Sequence, residues 1–243
     1  MISSVAPPLY IGADCRQVSC LFDRGLFQDR TPGELGLALP STLDGAVQKR
    51  KAEFIAGRYC AREALAQLRG SDVTKGDTSC ADTTIGIGAN RTPLWPAGFV
   101  GSITHTHGYA SAVVARRSKI RALGLDSETW IGPGSAENVS RQILTRREAY
   151  TDNLHLFESP LQYLTVVFSA KESLFKCLFP LVNRFFDFHA AIITPDASGS
   201  GANGSFRYEL LEDLSAEFCA GFSGYGIYAV DDTYAHTAVM LKV

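Results

Sequence analysis

Cysteine is sparse in this chain: Cys15, Cys20, Cys60, Cys80, Cys177 and Cys219 are scattered through 243 residues with no C-x-x-C pair. That spacing excludes a disulfide-stapled scaffold, a zinc ribbon and a redox dithiol, and predicts reduced thiols in a cytoplasmic protein. An excess of either charge is also lacking, since 23 Lys+Arg against 25 Asp+Glu leave a formal charge of -2. No whole-molecule positive field exists to hold a nucleic acid or an anionic membrane, so a polyanion must be met by a local basic cluster. No apolar run approaches the roughly 20 residues of a membrane-spanning helix. Met1 to Tyr10 lacks the basic start and apolar stretch of a signal peptide, so stable membrane insertion and secretion are not expected. There is no GxxxxGK[ST], HExxH or GxSxG, and Gly86 to Asn90 lacks the strand, glycine and helix setting of a dinucleotide site. What is present is apolar material, 46% of the residues, enough for one large or two small cores.

Along the chain, residues 1 to 45 read as irregular, because Pro7, Pro8, Pro32 and Pro40 punctuate short apolar pieces such as Val18 to Phe22. From Asp44 to Arg69, Val47, Phe54, Ala61, Leu65 and Leu68 recur at helical spacing. Ser71 to Asn90 has no periodicity and reads as a loop. Phe99 to Thr104, Ala110 to Arg116 and Arg121 to Glu128 are strands with short links, for which an antiparallel meander is the economical topology. A helix over 135 to 149, capped by Ser135, precedes a second strong helix from Ser169 to Phe179 that stops before Pro180. "RFFDFHAAIIT", "SFRYELLED" and "GYGIYAVDDTYAHTAVMLKV" supply further strands, with the glycine- and serine-rich "DASGSGANGS" between the first two. Two halves, each with a helix and a few antiparallel strands, predict an α+β fold.

Four clusters could carry chemistry. In "FSAKESLFKCL", Ser169 and Glu172 have the spacing of a helix-start capping box, and Lys176 lies where a surface ion pair with Glu172 would form. Helix-start chemistry alone explains that segment. In "LGLDSETW", Asp126 and Glu128 share one face of a strand by its period of two, and paired carboxylates repel unless a cation, for example Mg²⁺, sits between them. The bland alternative is a strand end exposing two acids to water. "GSITHTHG" brings His105 to the end of a strand expected to neighbour that of Asp126; seen alone it is an ordinary turn histidine. "QKRKAEFIAGRYCAREAL" carries Arg50, Lys51, Arg58 and Arg62 on one helix, either as a solvated stripe or as a clamp for phosphates.

In this order and spacing, "RKAEFIAGRYCAREAL", "RTPLWPAGFVGSITH", "LGLDSE" and "FSAKESLFK", with "FFDF" after them, resemble the 4'-phosphopantetheinyl transferases of the Sfp type, in the branch like enterobactin synthetase component D. The resemblance covers roughly residues 47 to 190. It implies a monomer built as a pseudo-dimer of two similar halves, 1 to 124 and 125 to 243, each with a main helix on a small antiparallel sheet, and an active site in the cleft between them. The activity implied is transfer of 4'-phosphopantetheine from coenzyme A to a serine of an apo acyl or peptidyl carrier protein, dependent on Mg²⁺, with release of adenosine 3',5'-bisphosphate. Asp126, Glu128 and Glu172 match the metal carboxylates, Arg50, Arg58, His105 and more weakly Arg91 match residues that hold the nucleotide phosphates, and Lys176 matches a lysine near the pyrophosphate. Glu172 is the expected base; beside a helix N-terminus and a cation it should stay ionised and act through a water. Lys171 and Arg62 belong to the motifs without an assigned role. Ser127 departs from the family by standing where an aliphatic residue is usual. Acidic carrier domains direct attention to "RRSKIR" and to Arg141, Arg146 and Arg147 as a docking surface by charge. The competing activities are a non-catalytic coenzyme A binding module and a Mg²⁺-dependent nucleotide pyrophosphohydrolase.

Overall fold

The computed structural model describes residues 1–70, 85–196 and 202–243. The chain divides into two units, Met1–Arg121 with Lys242–Val243, and Ala122–Leu241. Most of the Ser71 to Asn90 loop, and part of the glycine- and serine-rich link, lie outside the described residues.

In the first unit, β1 (Ile2–Val5), β2 (Cys15–Phe22), β3 (Phe99–Thr106) and β4 (Tyr109–Arg116) form an antiparallel sheet in the order β1-β2-β4-β3. The helix α1 (Gln48–Gly70) packs across it, as its periodicity predicts. Its buried face is made of small residues, Ala52, Ala56, Cys60, Ala61 and Ala64, with Ile55 and Leu65, and meets Val18, Cys20 and Phe22 of β2. Cys60 and Cys177 are both buried as packing residues, and burial pushes the Cys177 thiol up to about 12. The expectation that residues 1 to 45 are irregular is corrected here. β2 is an inner strand whose partner, β4, lies some ninety residues away, Val18 opposite Ala112, so its pairing leaves no local trace.

In the second unit, β5 (Ile120–Thr129), β6 (Ala191–Pro195), β7 (Asn203–Leu210), β8 (Ser223–Val230) and β9 (Tyr234–Lys242) form a sheet in the order β5-β9-β8-β7-β6. The helix α3 (Pro160–Val182) supplies its core, with Tyr163, Val166, Val167, Ala170, Leu174 and Leu178 buried among Ile193, Phe206 and Tyr208. A shorter α2 (Pro133–Ile143) precedes it. The expected meander breaks at its third strand: β5 leaves β4 and pairs beside β9 at the far end of the sequence. His105 on β3 is therefore not on a strand neighbouring that of Asp126.

Three element boundaries also differ from expectation. α3 starts at Pro160, not Ser169; Ser159 caps it by accepting the Gln162 N–H at 3.2 Å, with Pro160 at the first helical position. It continues past Pro180, which forgoes the i→i−4 bond to the Lys176 carbonyl, and ends at Asn183 in the left-handed conformation, φ 47°. The helix over 135 to 149 splits: Gly132 caps α2, and Thr145 with Glu148 forms a reciprocal capping box for a separate turn, Arg146–Ala149. The "FFDF" strand begins only at Ala191, because Asp187 accepts the His189 N–H at 2.8 Å and starts a 3₁₀ turn.

Candidate active site

The second unit gathers the acids because one glycine lets a helix touch a strand. A Cβ at Gly124 of β5 would stand 1.7 Å from Ser173 O and 2.7 Å from Cys177 N of α3. Only hydrogen fits there, so α3 lies against β5 by its backbone. The period of two puts Asp126 and Glu128 on the same face as Gly124, toward that helix. From α3, Lys176 Nζ reaches Asp126 Oδ1 at 2.6 Å and Leu125 O at 3.3 Å. Asp126 is 2% exposed. Burial alone would lower Lys176, but Asp126, Glu172 and Glu128 together raise it above its ordinary value and hold it as an ammonium. Burial raises Glu172 in turn, against the lowering field of Lys176 and with the help of Asp126. Asp126, Glu128, Glu172 and Lys176 thus act on one another electrostatically, three acids about one lysine.

Among the described residues no group of three His, Cys, Asp or Glu is arranged to hold a metal; Asp126 pairs with Lys176, and Glu172 and Glu128 act on that lysine through their charge. The donor chemistry nevertheless fits a hard divalent cation, since three carboxylates against one ammonium leave the cluster short of positive charge, and Mg²⁺ prefers oxygen. A cavity of about 280 Å³ opens beside Glu172, walled by Phe175, Phe185, Phe186, Phe188 and Leu174.

The capping-box reading of Ser169 fails. Ser169 is in mid-helix, wholly buried, with its hydroxyl 2.9 Å from that of Thr237. Glu172 is therefore more than two turns inside α3, and the argument that a helix N-terminus keeps it ionised no longer applies. Lys171, one residue before it, points elsewhere: Nζ donates to Glu148 Oε2 (2.8 Å), Ile143 O (2.7 Å) and Phe188 O (2.8 Å). Glu148 accepts in addition the N–H groups of Thr145 and Ile193, both at 2.7 Å. The pair is almost wholly closed to solvent and pins α3 to the end of α2, the 3₁₀ turn and β6. Lys171→Met would strand the Glu148 charge and should cost about 3–5 kcal/mol in urea denaturation. An unchanged midpoint would show that the pin carries no stability.

In the first unit, α1 carries the basic cluster. Gly57 is the near approach there, a Cβ falling 2.8 Å from Ile103 Cγ2 on β3. Arg50 Nη1 lies 3.2 Å from His105 Nε2, and since a guanidinium only donates, that nitrogen accepts. Arg58 is 8% exposed, over the Phe54 ring, with Nη2 donating to Gly86 O at 3.1 Å. Its Nη1 is buried with no hydrogen-bond partner among the described residues, and burial pushes its pKa down to about 10. A guanidinium so placed is not part of a solvated stripe, and its open donor suits an anion. Arg62 is structural, donating to Leu35 O and to Glu63. Arg91 is exposed, with a left-handed backbone, φ 60°.

Sequence reasoning overlooked Gly124, the Glu148 anchor, the phenylalanine wall and the buried pair of Ser127 with His236, 2.9 Å apart. Of these only Ser127 carried a visible signal, as a departure from the aliphatic residue expected between the two acids.

A family model described as the 4'-phosphopantetheinyl transferase N-terminal domain matches residues 39–115, and one described as the 4'-phosphopantetheinyl transferase superfamily matches residues 122–233. The chain is 37% identical over 171 residues to the 4'-phosphopantetheinyl transferase Npt of Nocardia iowensis, covering 68% of this chain and 70% of the relative. It is 36% identical over 174 residues to the 4'-phosphopantetheinyl transferase PptT of Mycobacterium tuberculosis, covering 70% and 69%. Enterobactin synthase component D of Salmonella typhimurium is 36% identical over 134 residues, 55% of this chain and 50% of the relative. The chain belongs to the 4'-phosphopantetheinyl transferase family.

Proposed function

We propose that this transferase moves 4'-phosphopantetheine from coenzyme A to a serine hydroxyl of an apo acyl or peptidyl carrier protein, with Asp126, Glu128 and Glu172 holding Mg²⁺. The observation that supports the reading best is the buried pair of Asp126 with Lys176 at 2.6 Å, with the charges of Glu172 and Glu128 also acting on that lysine, in a chain of this family. The serine oxygen forms a bond to the phosphorus bearing the pantetheine, the pyrophosphate bridge breaks, and adenosine 3',5'-bisphosphate leaves. Held by Asp126, Glu128 and Glu172, Mg²⁺ would supply positive charge to offset the negative charge that develops on the leaving group. Glu172 takes the serine proton, directly or through a water. Lys176, kept charged by its acidic neighbours, faces the leaving oxygen. The phenylalanine-lined cavity next to Glu172 takes the apolar part of the pantetheine arm. Arg50, Arg58 and His105 take the nucleotide phosphates, with Arg91 an auxiliary contact.

The direct test is incubation with coenzyme A, Mg²⁺ and an apo carrier protein, read by mass spectrometry. One added phosphopantetheine is the expected result. Adenosine bisphosphate released without a carrier would make the protein a pyrophosphohydrolase, and binding without either product would leave a coenzyme A module.

Arg58→Ala should raise the KM for coenzyme A by about tenfold, the worth of a charge-assisted hydrogen bond, and leave kcat nearly unchanged. Thermal unfolding should shift little, because a desolvated charge is removed along with its packing on Phe54. An unchanged KM would return Arg58 to a purely structural role. Carrier docking is assigned to the exposed Arg146 and Arg147. Reversing both charges should lower kcat/KM for the carrier through the on-rate, with coenzyme A affinity kept. No effect at low salt would remove that surface.

A further inference from the structure

A line of hydrogen bonds runs from the turn before β9 to the middle of the strand that carries the acids. Asp231 Oδ1 accepts the backbone N–H groups of Thr233 and Tyr234, both at 2.8 Å. Asp231 Oδ2 lies 3.4 Å from His236 Nε2, and His236 Nδ1 lies 2.9 Å from Ser127 Oγ. A carboxylate only accepts, so the ring proton belongs on Nε2, and Nδ1 accepts from the serine hydroxyl. Ser127 and His236 are each 1% exposed. Trp130 Nε1 ties the end of β5 to the same turn, donating to Asp232 O at 3.0 Å.

Serine, histidine and aspartate in a row invite a hydrolase reading, which the geometry rejects. The histidine turns Nδ1 to the serine and Nε2 to the aspartate, the reverse of a catalytic triad, and the serine is closed to solvent. The position of Ser127 in the strand gives the line another use. Ser127 stands between Asp126 and Glu128, and the period of two turns its side chain to the opposite face. A twist of this segment that broke the Ser127 bond would swing both carboxylates with it, because all three side chains are fixed to consecutive peptides.

We propose that Asp231, His236 and Ser127 form a positioning relay that fixes the strand segment bearing Asp126 and Glu128, and through it the geometry offered to a divalent cation. The inference rests on the reading of these acids as cation ligands.

The test uses the full chain as wild type, Ser127→Ala, Ser127→Thr, His236→Leu and His236→Gln. Mn²⁺ binding is followed by electron paramagnetic resonance, beside kcat, the KM for coenzyme A and thermal unfolding. Ser127→Ala and His236→Leu should weaken Mn²⁺ binding about tenfold, the usual cost of losing an outer partner of a ligand set, with the KM for coenzyme A within about twofold. Ser127→Thr and His236→Gln, which keep a hydrogen-bonding group, should recover most of the loss. Unaltered Mn²⁺ affinity in folded Ser127→Ala and His236→Leu overturns the relay, as does an equal loss in all four. If His236→Leu does not fold, the Ser127 pair decides. If the wild type binds no Mn²⁺, the metal reading fails separately; a kcat fall of about tenfold in Ser127→Ala, recovered in Ser127→Thr, then supports the relay, and an unchanged kcat overturns it.

Discussion

Glu172→Gln is expected to lose between about a hundredfold and ten-thousandfold in kcat, the range a positioned general base supplies. The fold should be no less stable. The folded protein holds the Glu172 carboxyl above its ordinary range because burial disfavours the charged form more than Lys176 favours it. The sign then follows: once pH rises above the unfolded value, the unfolded chain releases this proton first, so the folded state binds more protons and stability falls as pH climbs through the raised value. Glutamine is neutral throughout, so at neutral pH the variant escapes that cost. Its melting temperature should match or exceed wild type, and the wild-type decline in stability as pH rises above the ordinary carboxylate range should flatten. Wild-type turnover in the variant would remove the base role. Glu172→Asp keeps the charge but withdraws it by one methylene, and should recover cation binding more than kcat.

Gly124→Ala is expected to be the most disruptive small substitution in the second unit. The added carbon would fall 1.7 Å from Ser173 O and 2.8 Å from Ser173 C, and these are helix backbone atoms that cannot rotate away. α3 must move from β5, and overpacking of this kind costs about 3 kcal/mol or more. The shift carries Glu172 and Lys176 away from Asp126, so kcat should fall by more than the folded fraction does, even at low temperature. Gly57→Ala makes the useful contrast. Its nearest atom is the tip of a side chain, Ile103 Cγ2 at 2.8 Å, which can turn. The gain of about 1 kcal/mol in helix propensity offsets part of the crowding there, so urea denaturation should show a far smaller change. Equal losses for the two substitutions would mean that the close strand and helix contact at Gly124 has no special weight.

How much of this was visible in advance depended on the range of the interaction. α1 was legible because its apolar spacing is local, and the hairpin of β3 and β4 because its link is short. β2 and β5 were misplaced because their partners lie far off in sequence, at β4 and β9. Ser169 misled for the opposite reason. Its spacing to Glu172 satisfies a local capping rule, yet the helix already begins at Pro160 under the Ser159 cap, and the serine is spent on Thr237. Lys171 showed only as a motif letter, since Glu148 is 23 residues away and meets it through a capped turn.

The near balance of charge and the sparse thiols already required a local cluster for any phosphate-rich ligand, and the motifs placed its residue types and their order along the chain. Residue identity fixes donor chemistry, and a period of two or of 3.6 fixes which neighbours share a face. Neither says which face meets which element. That was decided by tertiary packing: by a glycine too small to keep α3 off β5, by burial that raises Glu172 while its acidic neighbours hold Lys176 charged, and by a desolvated Arg58 whose Nη1 has no partner among the described residues. Desolvation and long-range fields depend on what surrounds a group in space, and so they exist only once the chain has folded.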